Sequence, residues 1–170
     1  MADISDPNDP ARYAYLAEGN ARQARKRVAT KVVIRDDAGA VLLVNPTYKS
    51  HWDLPGGMAE ANEPPRMAAS RELREELDLV VPLGRLLLVE WVGPSGPWDD
   101  QLVFVFDGGL LDAESAGRLK LNDPELSAYR FARTDKTGQL LRADVNQRLD
   151  RARRALADGT TAYDEIERDW

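Results

Sequence analysis

The chain has 170 residues, 43% of them hydrophobic, which suits one domain with a core of its own. Its 29 acidic and 23 basic residues leave a formal charge of −6, which excludes binding of a nucleic-acid polymer by charge alone. The absence of cysteine excludes a disulfide scaffold, thiolate metal ligands and a cysteine nucleophile.

The first ten residues hold three Asp and two Pro, and residues 1–9 are predicted to form a flexible arm, with a single domain over 10–170. This polar, acidic start is unlike a signal peptide. No apolar run approaches the ~20 residues of a spanning helix. A soluble, cytoplasmic protein without a membrane partner is therefore expected. Pro10 suits a helix start, and residues 11–26 continue it, weakened by Gly19. Two apolar runs, 28–35 and 40–46, flank Asp36-Asp37-Ala38-Gly39 and predict a β-hairpin. Residues 45–57 read as a loop, with HWDLP as a short strand within it.

Pro64 to Leu77 is the best helix in the sequence. Two prolines suit its first turn, and Ala69, Leu73 and Leu77 give it a core stripe. Strands follow at 83–93 and 101–109, separated by a Pro- and Gly-rich loop, and a weaker strand over 125–132. A last helix ends at Gly159, with Leu149, Ala152 and Leu156 on its apolar side. Strands mixed with helices in one domain imply helices packed on the faces of a mixed sheet.

Glu72, Glu75 and Glu76 span roughly a 100° arc of the Pro64–Leu77 helix, so three carboxylates share one face. Their mutual repulsion and the helix dipole both oppose this arrangement. A hard divalent cation would reverse the balance. The bland alternative is a solvated acidic face. Gly56 and Gly57 precede the helix and let backbone approach an ion or ligand closely. Arg71 is placed to hold Glu63 and Glu75 through its fork of donors.

The stretch GMAEANEPPRMAASRELREELDL, Gly57 to Leu79, resembles the Nudix box. Gly57, Glu63, Arg71, Glu72, Leu73, Glu75, Glu76 and Leu79 all fit that pattern, and the resemblance extends over roughly residues 27 to 135. Asp78 departs, standing where the family usually has Gly. That Gly serves as a helix C-cap with positive φ, which Asp tolerates at a small cost.

The resemblance implies a Nudix-like α/β/α sandwich around a mixed sheet. It implies Glu72, Glu75 and Glu76 as ligands of Mg²⁺ or Mn²⁺, with the Gly56 carbonyl beside them. Glu63 and Arg71 would be an orienting salt pair, and the implied reaction is hydrolysis of a diphosphate linkage. The substrate would be a small molecule: a nucleoside triphosphate, a nucleotide sugar, ADP-ribose or a similar diphosphate. The alternative is a regulator that keeps the fold and senses a nucleotide without turnover. The implied base is a glutamate of the box or one from a later loop; Glu125, which resembles the family's late strand, is the later candidate, with a solvated loop acid as its bland alternative.

Weaker signals carry bland alternatives. Asp99 and Asp100 read either as site acids or as solvated loop residues. Trp98, in the same loop, is a stacking candidate, whereas Trp52 and Trp91 read as core residues. Arg27 and Lys31, two strand periods apart, either face substrate phosphates or belong to a solvated basic run. Arg148, Arg151, Arg153 and Arg154 read as a solvated helix face. His51 reads as a surface residue. Oligomeric state is weakly constrained, and a homodimer through the N-terminal helix is the expectation.

Overall fold

The structure, a computed structural model, describes residues 9–167. The element order is α1 (Pro10–Arg22), β1 (Arg27–Arg35), β2 (Val41–Pro46), α2 (Pro65–Leu77), β3 (Leu86–Val92), β4 (Gln101–Leu110), α3 (Ala113–Ala116), β5 (Leu126–Ala132), α4 (Ala143–Ala157) and β6 (Ala162–Ile166). One mixed sheet runs in the order β5-β2-β1-β4-β3-β6, with β1/β4 and β3/β6 parallel. Among the described residues no helix is long and apolar enough to cross a membrane.

Strand alternation divides the interior into two cores. Val32, Ile34, Leu42, Val44 and Phe106 point to one face and meet Ala69, Leu73 and Leu77 of α2. Ala29, Val33, Val41, Leu43, Val103 and Val105 point to the other and meet Val145, Leu149 and Ala152 of α4. This is the expected α/β/α sandwich. It follows that Lys31, between Ala29 and Val33, emerges on the α4 face.

The expected hairpin is paired only near its turn, at Arg35↔Val41. Beyond that point β1 and β2 splay, and residues 53–58 fill the gap. Thr30 N–H donates to the Gly57 carbonyl at 2.8 Å and Val32 N–H to that of Pro55 at 3.0 Å, while Val44 and Asp53 exchange both bonds at 2.9 Å. The splay is therefore satisfied by backbone from the segment that leads into α2. This insertion brings Gly56 and Gly57 to the break between β1 and β2.

Of the expected arm, Asp9 accepts a hydrogen bond from Ala11 N–H and caps α1, while residues 1–8 lie outside the described residues. Helix α1 ends at Arg22, shorter than predicted, and has no buried residue. The helix α2 starts at Pro65, with Pro64 at its N-cap, and ends at Asp78 with φ 53° and ψ 31°. The left-handed cap expected of the missing Gly is thus made by Asp. The short helix α3 and the edge strand β6 were not predicted, since both are too short to show a period.

Candidate active site

Arg71 is the hub of the α2 acidic face. Its Nε and Nη2 donate to the two oxygens of Glu63, each at 3.0 Å, and Nη2 also reaches the Met58 carbonyl at 2.9 Å. Its Nη1 donates to Glu72 at 2.9 Å and Glu75 at 2.8 Å. Glu63 foremost, then Glu75 and Glu72, therefore hold the guanidinium charged. The same bonds pull the Glu63 carboxyl below its ordinary range. The bidentate pair ties the loop before α2 onto the helix, as the sequence spacing suggests.

Glu76 points the other way along the helix, into the break between β1 and β2. It is buried, and its Oε2 accepts the Gly56 N–H at 2.8 Å. Burial pushes its carboxyl up to about 7, against the pull of Lys31 and the Gly56 bond. Glu72 is raised as well, by burial first, with Arg71 opposing. Its carboxylate lies so close over Gly57 that a Cβ there would come within 2.6 Å of it. At Gly56 the φ is +119°, and a Cβ would stand 2.4 Å from the Thr30 carbonyl oxygen. Both glycines are thus demanded by close approach, one to a carboxylate and one to backbone.

The donor set is all oxygen: three carboxylates and a nearby carbonyl, with Glu76 buried and without an ion-pair partner among the described residues. That chemistry fits a hard divalent cation. As placed, no three acids among the described residues already converge into a metal cage. Arg71 draws Glu72 and Glu75 to itself, and Glu76 turns to Gly56.

The Gly56 carbonyl accepts from Lys31 Nζ at 2.9 Å, and the Leu54 carbonyl does so at 3.0 Å. The ammonium also stands 3.1 Å from Asp53 Oδ2, so it is held by three oxygens. Asp53 escaped the sequence reading. It is buried, bonded by Lys49 at 2.6 Å and by Leu54 N–H at 2.8 Å. Burial would raise its carboxyl, but Lys31 and Lys49 outweigh that and bring it to about 2. A carboxyl held below its unfolded value stabilises the fold above that value and loses the contribution as pH falls through the folded one. Asp53→Asn is expected to cost about 2 kcal/mol at pH 7. The gap between the two proteins should close between about pH 4 and pH 2 in chemical denaturation. A constant gap over that range would show that the charge is not what Asp53 contributes.

Glu125 stands in the turn before β5 and is exposed. It lines a small cavity of about 30 Å³ together with Glu76, Gly56, Asp123 and Lys31. Sequence reasoning about Glu125 thus leads to a residue facing the buried end of the box. Arg27 and Trp98 also come together: the guanidinium lies 4.7 Å from the ring centre, and Arg27 borders a cavity with Met58 and Glu63 of the box. His51 is exposed and lines a cavity on the α4 face together with Lys31.

Several readings are corrected. Asp100 accepts from Trp91 Nε1 at 2.7 Å and pairs with Lys26, so it anchors its loop. Arg148 is no solvated residue: it is buried, with Nε donating to fully buried Glu90 at 2.6 Å. Arg151 lies 3.6 Å from the same carboxylate and 2.7 Å from Asp164. The mixed charges of α4 hid this, because the partner acids lie on β3 and β6.

The NUDIX domain family model matches residues 25–155. No curated protein matches the sequence. Among solved structures, a MutT protein from Methanosarcina mazei Go1 is 23% identical, with TM-score 0.64 over 81% of this chain and 99% of that one. A UDP-X diphosphatase is 20% identical, with TM-score 0.71 over 92% of this chain and 75% of that one. An Ap4A hydrolase from C. elegans is 20% identical, with TM-score 0.62 over 78% of this chain and 98% of that one. At these identities the likeness is one of fold.

Proposed function

Because the chain belongs to the Nudix hydrolase family, we propose that it hydrolyses a diphosphate linkage in a small, nucleotide-derived molecule with Mg²⁺ or Mn²⁺. The observation that carries this is the buried Glu76 carboxylate, set against Gly56 at the strand break and flanked by Glu72 and Glu75. Glu72, Glu75 and Glu76, with the Gly56 carbonyl, would hold the metal. Such an ion supplies the charge that neutralises diphosphate oxygens and eases attack by water.

The chain's own residues do the rest. Arg71 and Glu63 keep the loop and the acidic face in register. Lys31, already among oxygens at Gly56, brings a positive charge to where a phosphate would stand. Glu125, which lines the small cavity together with Glu76, is the candidate from outside the box for taking the proton of the attacking water, a box glutamate being the other. The UDP-X diphosphatase and the Ap4A hydrolase are diphosphate- and polyphosphate-directed by name, which supports a substrate of this class. A cytoplasmic setting and a homodimer through α1, with its exposed Tyr13, Tyr15 and Leu16, complete the reading. A monomer mass in light scattering at micromolar concentration would remove the dimer.

The test is a panel of nucleoside triphosphates, nucleotide sugars, ADP-ribose and dinucleoside polyphosphates with Mg²⁺ or Mn²⁺, scored for released phosphates. Turnover of at least one, abolished by a chelator and restored by the metal, is expected. A folded protein that is stabilised by a nucleotide yet forms no product from any of them would favour sensing over catalysis.

A further inference from the structure

We propose that the cavity on the α4 face binds a second anionic group of the substrate, so that the preferred diphosphate carries a further phosphate beyond the scissile linkage. This rests on the hydrolase reading above and names its substrate class. The cavity has about 330 Å³ and begins at Gly56 and Gly57. Ala29, Gln101 and Val103 line it together with Val145 of α4. Lys31, Lys49, Arg142 and Arg148 reach its surface, and Asp53 is the acid that does so.

A second cavity of about 370 Å³ shares Lys49, Gln101 and Arg142 with the first and adds Arg27 and one acid, Asp99. Five cations, Lys31, Lys49, Arg142, Arg148 and Arg27, thus line the two spaces against two acids, Asp53 and Asp99, in a chain whose formal charge is −6. Such segregation marks a place for an anion. The head groups are also fixed in advance. Asp144 takes Nε and Nη2 of Arg142, and buried Glu90 takes Arg148. Neither of those acids lines either cavity. Preset guanidiniums bind phosphate with little ordering cost.

The rings beside these cavities already carry cations of the chain on one face. Arg130 lies 5.3 Å over the Trp52 ring, Lys49 5.5 Å over that of Tyr48 and Arg27 4.7 Å over that of Trp98. The stacking role expected of Trp98 is filled, on one face, by the chain's own arginine.

Matched pairs test this. ADP-ribose is compared with 2′-phospho-ADP-ribose for a remote phosphate, and diadenosine diphosphate with the tetraphosphate for a contiguous one. The phosphate-rich member of at least one pair should have kcat/KM about tenfold higher, chiefly through KM. The ratio should fall toward one in the Lys49→Gln/Arg142→Gln double variant. Equal kcat/KM within both pairs, or a preference that survives the double variant, overturns the inference and leaves the hydrolase reading standing. Titration calorimetry in chelator adds an arm independent of turnover, comparing adenosine 3′,5′-bisphosphate with AMP. The bisphosphate should bind about tenfold tighter in wild type and lose that advantage in the double variant. Equal affinities overturn the inference even if no substrate is ever turned over.

Discussion

Glu76→Gln is expected to reduce turnover to near background while raising the stability of the metal-free protein. Gln keeps the volume and an acceptor for the Gly56 N–H, so the 2.8 Å bond has a replacement. What it removes is a buried negative charge. In the fold that carboxyl is raised to about 7, from an ordinary value of 4.5. A carboxyl raised on folding penalises the native state as pH climbs: nothing is lost below the unfolded value, and the full penalty is present above the folded one. In chelator the variant should therefore match wild type near pH 4.5 and exceed it by about 3 kcal/mol above pH 7. The metal role predicts the reverse with Mg²⁺ present: wild type should gain more stability from the ion, because it keeps the anionic ligand. Glu63→Gln is the contrast. It removes the charge and one of the two oxygens that accept from Arg71, and should lower the melting temperature, with a smaller loss of turnover. An active but unstable Glu76→Gln would make Glu76 a structural residue and sink the metal assignment.

The neighbouring glycines should separate fold from chemistry. Gly56→Ala places a Cβ 2.4 Å from the Thr30 carbonyl oxygen at a φ of +119°. Backbone is on both sides of that clash, and Thr30 is itself fixed by its bond to Gly57. Either β1 or the inserted segment must move, at a cost on the order of 3–5 kcal/mol. Gly57→Ala meets a flexible side chain instead: the Glu72 carboxylate, 2.6 Å away. That carboxylate can rotate off, so stability should change little while turnover falls by roughly tenfold or more from a misplaced ligand. Melting temperatures and single-turnover rates of the two variants would decide. A stable, active Gly56→Ala protein would mean that the segment does not lie between β1 and β2 as described.

Local features were legible in advance because their causes are local. The α2 helix follows from its prolines, its four-residue apolar spacing and its capping residue, all within a few turns. The Glu63–Arg71 pair spans eight residues, close enough to read from spacing. Where sequence reading fell short, the partners are far apart. Glu90 is 58 residues from Arg148, and nothing in either segment announces that a buried acid awaits the arginine. An arginine on a mixed-charge helix looks solvated until a facing strand supplies a carboxylate.

The sequence by itself determined the acidic helix and the pair that ties the loop to it, since periodicity and short-range spacing decide those, while the cap at Asp78 followed from the resemblance, which has Gly there. It also determined which sheet face Arg27 and Lys31 share, because strand side chains alternate. Only the tertiary structure decided that β1 and β2 part to admit the 53–58 segment. It alone placed Lys31 against the Gly56 carbonyl, 25 residues away, and Asp53 between two lysines. The reason is that strand pairing and charge compensation are settled by what lies opposite in space. An unpaired strand edge or a buried charge must find its partner wherever the chain supplies one.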